Sequence, residues 1–263
     1  MTRVLSGAVL IALAVGVVWF ATSYMFLAVA ALLLVLGVSE LIVLSRASAL
    51  DVPAFPAMMA AALAMAVVGL PDLSGRMLDV VFMAALPGLG LATLGAWRGG
   101  PNALASASAS LFPALYLGLP IGALVAVRRL GGPPALFLLM LTIIISDSMQ
   151  YYTGRLFGRR PLAPIVSPKK TVEGAIGGFV FGTAAFAIIG AWWLPQIPAG
   201  LRAGLGLTIV ALGIAGDLFE SMLKRSANVK DSSSLIPGHG GILDRIDALL
   251  FAAPVYYIVL RYV

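Results

Sequence analysis

Residues 202–262 read RAGLGLTIVALGIAGDLFESMLKRSANVKDSSSLIPGHGGILDRIDALLFAAPVYYIVLRY. Two apolar runs, at about 202–221 and 246–262, flank a polar stretch. Each run approaches the ~20 residues a helix needs to cross the ~30 Å hydrocarbon layer of a membrane. Yet residues 217–247 hold five carboxylates (Asp217, Glu220, Asp231, Asp244, Asp247), four bases (Lys224, Arg225, Lys230, Arg245) and the chain's one histidine, His239. An ionisable group at the centre of a bilayer costs about 2.5–3.5 kcal/mol on insertion scales, so charges gathered against apolar helices point to chemistry.

The rest of the chain extends this pattern. Of its 263 residues, 61% are hydrophobic and 11% charged, and mean hydropathy is +1.04. Soluble domains carry about 25% charged residues. The composition therefore predicts an all-α, polytopic integral membrane protein with about nine transmembrane helices, near 4–20, 24–44, 54–70, 77–97, 105–127, 134–153, 174–194, 202–221 and 246–262. Pro53, Pro71, Pro101, Pro133 and Pro198 fall between the runs, as helix breakers should. The run after Arg3 resembles a signal peptide, but Ala21–Tyr24 offers no small-x-small cleavage site, so it reads as a retained first span. The expected organisation is N-terminal membrane helices over 1–130 and a catalytic membrane region over 131–263, within one continuous membrane domain. Without cysteine, disulfides and thiolate metal sites are excluded.

Two polar loops stand apart, Arg155–Thr171 and Leu223–Leu243. With the amino terminus in the cytosol, Arg3, Arg46, Arg98, the five bases of 155–170 and the four of 224–245 lie inside. Arg76, Arg128, Arg129, Arg202 and Arg261 lie outside. That is 12 of the 17 bases on the cytosolic face, as the positive-inside rule requires, despite the Arg128–Arg129 pair. The net charge of +6 then suits anionic headgroups and phosphates rather than nucleic acid.

On a helix, Asp217, Glu220, Ser221 and Lys224 stand at offsets 0, 3, 4 and 7 and share one face. Asp244 and Asp247 align in the same way at the start of the last span. The Pro237–Gly241 turn can fold the chain back between the two acidic faces. Carboxylates without cysteine suit a hard cation such as Mg²⁺, which takes one or two carboxylates plus phosphate oxygens. Lys224, Arg225, Lys230 and Arg245 would then neutralise phosphate. Plainer roles exist for each: Asp244 and Asp247 can complement a helix dipole, Lys224 and Arg225 can anchor a span, and His239 can be an ordinary loop residue. In the other loop, Ser167-Pro168-Lys169-Lys170-Thr171 precedes Glu173 and Gly174 at a helix start, a plausible anion site. Asp147 sits inside apolar span six after Ile143–Ile145, with Arg155 on nearly the same face. It can serve a metal or pair with Arg155. Gly174, Gly178 and Gly182 recur every four residues, which favours close helix packing over phosphate approach by backbone N–H groups.

Ser221-Met-Leu-Lys224-Arg225, then Lys230-Asp231, then Ile236-Pro-Gly-His-Gly-Gly-Ile-Leu-Asp244-Arg-Ile-Asp247 resembles the signature of the phosphatidate cytidylyltransferase (CDP-diacylglycerol synthase) family over 27 residues. Asp147, Tyr151, Gly154, Arg155, Gly158 and Ser167–Gly174 are similar to a second region of that family. The similarity covers roughly 134–263. Gln150 stands where a small residue is more usual, and Val172 where an aromatic often sits. The resemblance implies condensation of CTP with phosphatidic acid to CDP-diacylglycerol and pyrophosphate, by a Mg²⁺-dependent homodimer in the cytoplasmic membrane with its site facing the cytosol. It implies metal ligands at Asp217, Asp244 and Asp247, with Glu220 a fourth candidate. Catalytic candidates are these aspartates with Lys224, Arg225, Lys230, Arg245 and His239. Candidates for substrate contact are Ser167, Lys169, Lys170, Thr171, Glu173, Arg155, Asp147 and Ser221. The residues leave open whether a monovalent cation such as K⁺ assists. Two rival readings are a CTP-dependent lipid kinase and a cation-coupled transporter. The latter predicts inverted repeats, whereas the polar residues here crowd into one half.

Overall fold

The computed structural model describes residues 2–70, 78–97, 99, 102–236, 238 and 240–263. They form α1 (Thr2–Phe20), α2 (Ser23–Ala47), α3 (Ala54–Gly69), α4 (Leu78–Ala96), α5 (Ala103–Pro113), α6 (Leu119–Phe157), α7 (Val172–Trp193), α8 (Ala199–Ser226) and α9 (Leu243–Tyr262). One turn of π-helix, Ala114–Gly118, joins α5 to α6. Pro120 has no N–H to give the carbonyl of Tyr116 four residues back, and the widened turn lies there. The fold class is all-α, as expected, and among the described residues each predicted span lies on helix but for a terminal residue.

Among the described residues four segments are long and apolar enough to cross a membrane: Ser23–Ala47, Ala103–Phe157, Val172–Trp193 and Ala199–Ser226. Gly7–Phe20, Ala54–Gly69 and Met83–Ala96 are apolar but shorter. The 55 residues of Ala103–Phe157 would extend about 80 Å as one straight helix, far beyond a bilayer. They break at Gly132, whose φ of 70° is left-handed and open to glycine. Pro133 and Pro134 follow. That break is the turn predicted between spans five and six.

The chain divides into two compact units, residues 1–126 with 223–245, and residues 127–222 with 246–263. In the first, α3 packs on the π-turn and the start of α6 through small residues. A Cβ at Gly118 would lie 2.5 Å from the Ala61 carbonyl, and one at Gly122 2.7 Å from that of Met65. Ala57, Ala61 and Ala64 are fully buried on the facing side of α3, the small-residue packing that membrane helices use for close approach.

The second unit is built the same way. A Cβ at Gly174 would meet the Gln150 carbonyl at 2.7 Å, and one at Gly182 the Val210 side chain at 2.6 Å. Gly177 lies directly on Thr153. The glycines of α7 are therefore packing positions. Phe186 and Tyr256 meet edge to face at 5.7 Å, and the Tyr256 hydroxyl donates to the Ala135 carbonyl at 3.0 Å. The polar loop expected over 155–171 contains an antiparallel hairpin, β1 (Pro161–Ala163) with β2 (Ser167–Thr171). Its three-residue connection and its prolines hide the strand alternation that a sequence reading needs.

Candidate functional site

In the second unit the hairpin is fastened to the helix ends beside it. Thr171 caps α7: its side-chain oxygen accepts the Gly174 N–H at 3.1 Å. Glu173 accepts the backbone N–H groups of Arg159 and Arg160 at 3.0 and 3.2 Å, and the Val172 N–H returns to the Arg160 carbonyl. Gly154 and Gly158 lie against Thr171, where a Cβ on either would strike its hydroxyl. The strand Ser167–Thr171 is thus held at both edges. Glu173 and Thr171, read as substrate contacts, are in this structure the clasps of the hairpin.

That clasp aims Lys170 at α8. Its Nζ lies 2.5 Å from Asp217 Oδ2, with side chains 21% and 28% exposed, so the pair is reachable from outside. Ser221, one turn on, donates to Asp217 Oδ1 at 3.4 Å. Asp147 lies within electrostatic reach of both Lys170 and Asp217 and accepts from the Gln150 amide at 2.9 Å. Although inside an apolar run, Asp147 is exposed. Arg155 donates instead to the Tyr151 hydroxyl at 3.4 Å. Asp147 therefore does not pair with Arg155; its neighbours are Gln150, Lys170 and Asp217. Asp247 belongs to the same unit. Its carbonyl lies 2.6 Å from where a Cβ on Gly216 would stand, so α8 and α9 cross one residue from Asp217. Its Oδ1 accepts the Ala248 N–H at 2.8 Å. Glu220 is 1% exposed.

In the first unit, Lys224 Nζ lies 2.5 Å from Asp244 Oδ1, and these side chains are only 11% and 7% exposed. The other oxygen of Asp244 accepts the Ser232 N–H at 2.9 Å, the Ser232 hydroxyl at 2.8 Å and the Gly241 N–H at 2.8 Å. Asp244 precedes the apolar run at 246–262. Burial disfavours its charge, but the Lys224 ammonium and the two N–H donors outweigh that and hold its carboxyl below the ordinary value. Gly238 and Gly240 have φ of 77° and 76°, the left-handed conformation this turn needs, and a Cβ at Gly240 would sit 2.5 Å from Asp244. Lys230, Asp231, Arg225 and Arg245 lie on the surface, with Arg225 donating to the Val229 carbonyl at 3.1 Å. Lys169 is exposed and Ser167 half-buried. His239 and Pro237 lie outside the described residues.

Two lysine–aspartate pairs therefore organise the sequence candidates. Among the described residues no three of His, Cys, Asp and Glu are gathered as a metal site. A residue absent from the candidate set is Glu40 of α2, which holds the 232–243 loop through four hydrogen bonds. The signal that could have found it was present: one carboxylate in an apolar span, the same reasoning that singled out Asp147.

The fold and the site together define a predominantly α-helical membrane protein with two lysine–aspartate pairs beside its helix ends. The model of the cytidylyltransferase family matches residues 1–263, and the chain belongs to that family. It is similar to the phosphatidate cytidylyltransferase of Aquifex aeolicus, 42% identical over 127 residues, 48% of this chain and 46% of that one. The same-named protein of Thermotoga maritima is 44% identical over 139 residues, 51% of each chain. That of Haemophilus influenzae is 47% identical over 129 residues, 46% of this chain and 44% of its own. The chain spans about half the length of the curated relatives it matches.

Proposed function

We propose that this protein is a CTP:phosphatidate cytidylyltransferase, forming CDP-diacylglycerol and pyrophosphate for phospholipid synthesis. The observation that carries the reading is the Lys170–Asp217 pair: a partly exposed ammonium and carboxylate, within reach of Asp147, inside the 134–263 stretch that resembles this family.

The chemistry suits such a site. A phosphate monoester has a second pKa near 6, so the lipid phosphate is mostly dianionic at pH 7 and needs no general base. Its oxygen attacks the α-phosphorus of CTP, and the bond from that phosphorus to the α–β bridging oxygen breaks, so that oxygen leaves as a terminal oxygen of pyrophosphate. The obstacle is repulsion between two polyanions. Lys170 and Lys224 meet it with Lys169, Arg225, Lys230 and Arg245, as fixed cations aimed where charge develops. Ser167, Thr171, Ser221, Arg155 and Glu173 position the nucleotide and the hairpin, and His239 is a further catalytic candidate.

Oxygen donors alone, with Asp147 and Asp217 close together around a single ammonium, fit a hard divalent cation that uses one or two protein carboxylates and completes its shell with phosphate oxygens. In the reading the resemblance implies, Mg²⁺ would be held by Asp217, Asp244 and Asp247, with Glu220 a fourth candidate, and would supply positive charge at the phosphates. A homodimer, a cytosol-facing site in the cytoplasmic membrane and an accessory monovalent cation are parts of the same proposal, drawn from the resemblance and the positive-inside pattern.

The decisive measurement uses purified protein, Mg²⁺, phosphatidic acid and CTP labelled at either phosphorus. Label from the α-position enters the lipid and label from the γ-position leaves in pyrophosphate. Transfer of γ-label to the lipid would establish a kinase instead.

A further inference from the structure

Glu40 lies 192 residues before the nearest part of the loop it binds. It is 6% exposed on α2, within a run that is otherwise apolar from Val35 to Leu44 apart from Ser39. A carboxylate in such a place is costly unless fully hydrogen-bonded, and here it is. Oε1 accepts from the Ser233 hydroxyl at 2.7 Å and the Ile242 N–H at 2.9 Å. Oε2 accepts from the Ser232 hydroxyl and the Leu243 N–H, both at 2.9 Å. The two N–H groups are at the start of α9 and the two hydroxyls at the far side of the loop, so a single carboxylate closes the loop on itself.

The same contacts reach Asp244. The Ser232 hydroxyl lies 2.9 Å from Glu40 and 2.8 Å from Asp244 Oδ2. A serine hydroxyl has one proton, so that proton is shared between the two carboxylates. Between them runs Gly241, whose N–H donates to Asp244 and whose Cβ, were there one, would stand 2.5 Å from both Glu40 oxygens. The Gly241 position of the signature is therefore shaped by Glu40.

We infer that Glu40 is a positioning residue: from outside the signature, it sets the placement of Ser232, Ser233 and Gly241–Leu243 and so the direction in which Asp244 presents its carboxylate. Its effect on turnover rests on the function proposed above; its hold on the loop does not.

Glutamine tests this sharply. Glu40→Gln is isosteric but turns an –NH₂ toward donors, so it cannot accept all four bonds, whereas a space-filling role would be kept. In detergent-solubilised protein, hydrogen exchange at the amides of Gly241, Ile242 and Leu243 is expected to accelerate about tenfold or more in Glu40→Gln and Glu40→Ala, with α3 and α7 unchanged. CDP-lipid formation should fall by about tenfold, and adding Ser232→Ala to Glu40→Ala should cost little more, since both cut one chain of contacts. Exchange at wild-type rates overturns the inference, as does wild-type turnover with a loosened loop. If the wild-type protein makes no CDP-lipid, the proposed function falls and the exchange data alone judge Glu40. If neither Glu40 variant folds, Ser232→Ala decides. It removes only the shared hydroxyl, and unchanged turnover together with unchanged exchange at Gly241 would refute the link.

Discussion

The two lysine–aspartate pairs have the same chemistry but different surroundings, and this separates their roles. Lys170 and Asp217 are a quarter exposed, so water screens them and their attraction adds little to stability. Lys224 and Asp244 are almost enclosed. Removing one partner of a buried pair leaves an uncompensated charge and costs about 3–5 kcal/mol. Lys170→Met is therefore expected to keep the wild-type thermal midpoint in detergent while lowering CDP-lipid formation roughly a hundredfold, the scale for losing one preorganised charge at reacting phosphates. Lys224→Met should lower the midpoint clearly as well as the activity. Equal midpoints for the two variants would contradict this division. Residue types were readable at this scale, but pairings were not. The carboxylates stood out as acids in an apolar chain and the lysines as bases gathered beside them. That Lys170 meets Asp217 across 47 residues follows from how the hairpin is clasped, which no periodicity records. Glu40 escaped because charge density drew attention to 217–247, and one acid in a distant span adds nothing to a local density.

At the scale of elements, the spans were legible because each must bury its own backbone hydrogen bonds in lipid, which leaves long apolar runs separated by breakers. The predicted turn at Pro133 is the break at Gly132. The hairpin was not legible: two strands of three and five residues hold too few positions to show alternation. The glycine spacing in α7 was legible as a pattern and ambiguous in purpose until its neighbours were known. Gly178 now gives a test. A Cβ there would stand 2.5 Å from Gln150 Cγ and 3.1 Å from the Ser146 carbonyl, so α6 and α7 would be forced apart. Gly178→Leu is expected to destabilise by about 1–3 kcal/mol or more, the range for overpacking. It should also disturb Asp147 through Gln150. Gly200 has nothing within 4 Å of its Cβ position, and Gly200→Ala should leave the thermal midpoint unchanged or slightly higher. A Gly178→Leu protein as stable as wild type would mean that these helices do not need close contact.

For the whole molecule, the proposed reaction predicts which side of the membrane each loop faces. CTP is a cytosolic polyanion that cannot cross lipid, so a loop that handles it has to meet the cytosol. Basic residues follow the same rule for insertion, and 12 of 17 are assigned there. Because the chain has no cysteine, single cysteines report sidedness without background. Ile165, 91% exposed at the hairpin turn, and exposed Ser234 in the signature loop mark the two charged loops. Exposed Gln196 marks the link between α7 and α8. In intact cells, a membrane-impermeant maleimide is expected to label Gln196→Cys but neither Ile165→Cys nor Ser234→Cys. Inverted vesicles should give the opposite pattern. Labelling of Ile165→Cys and Ser234→Cys from opposite sides would break the proposed catalytic region in two, since loops divided by a bilayer cannot act on one triphosphate.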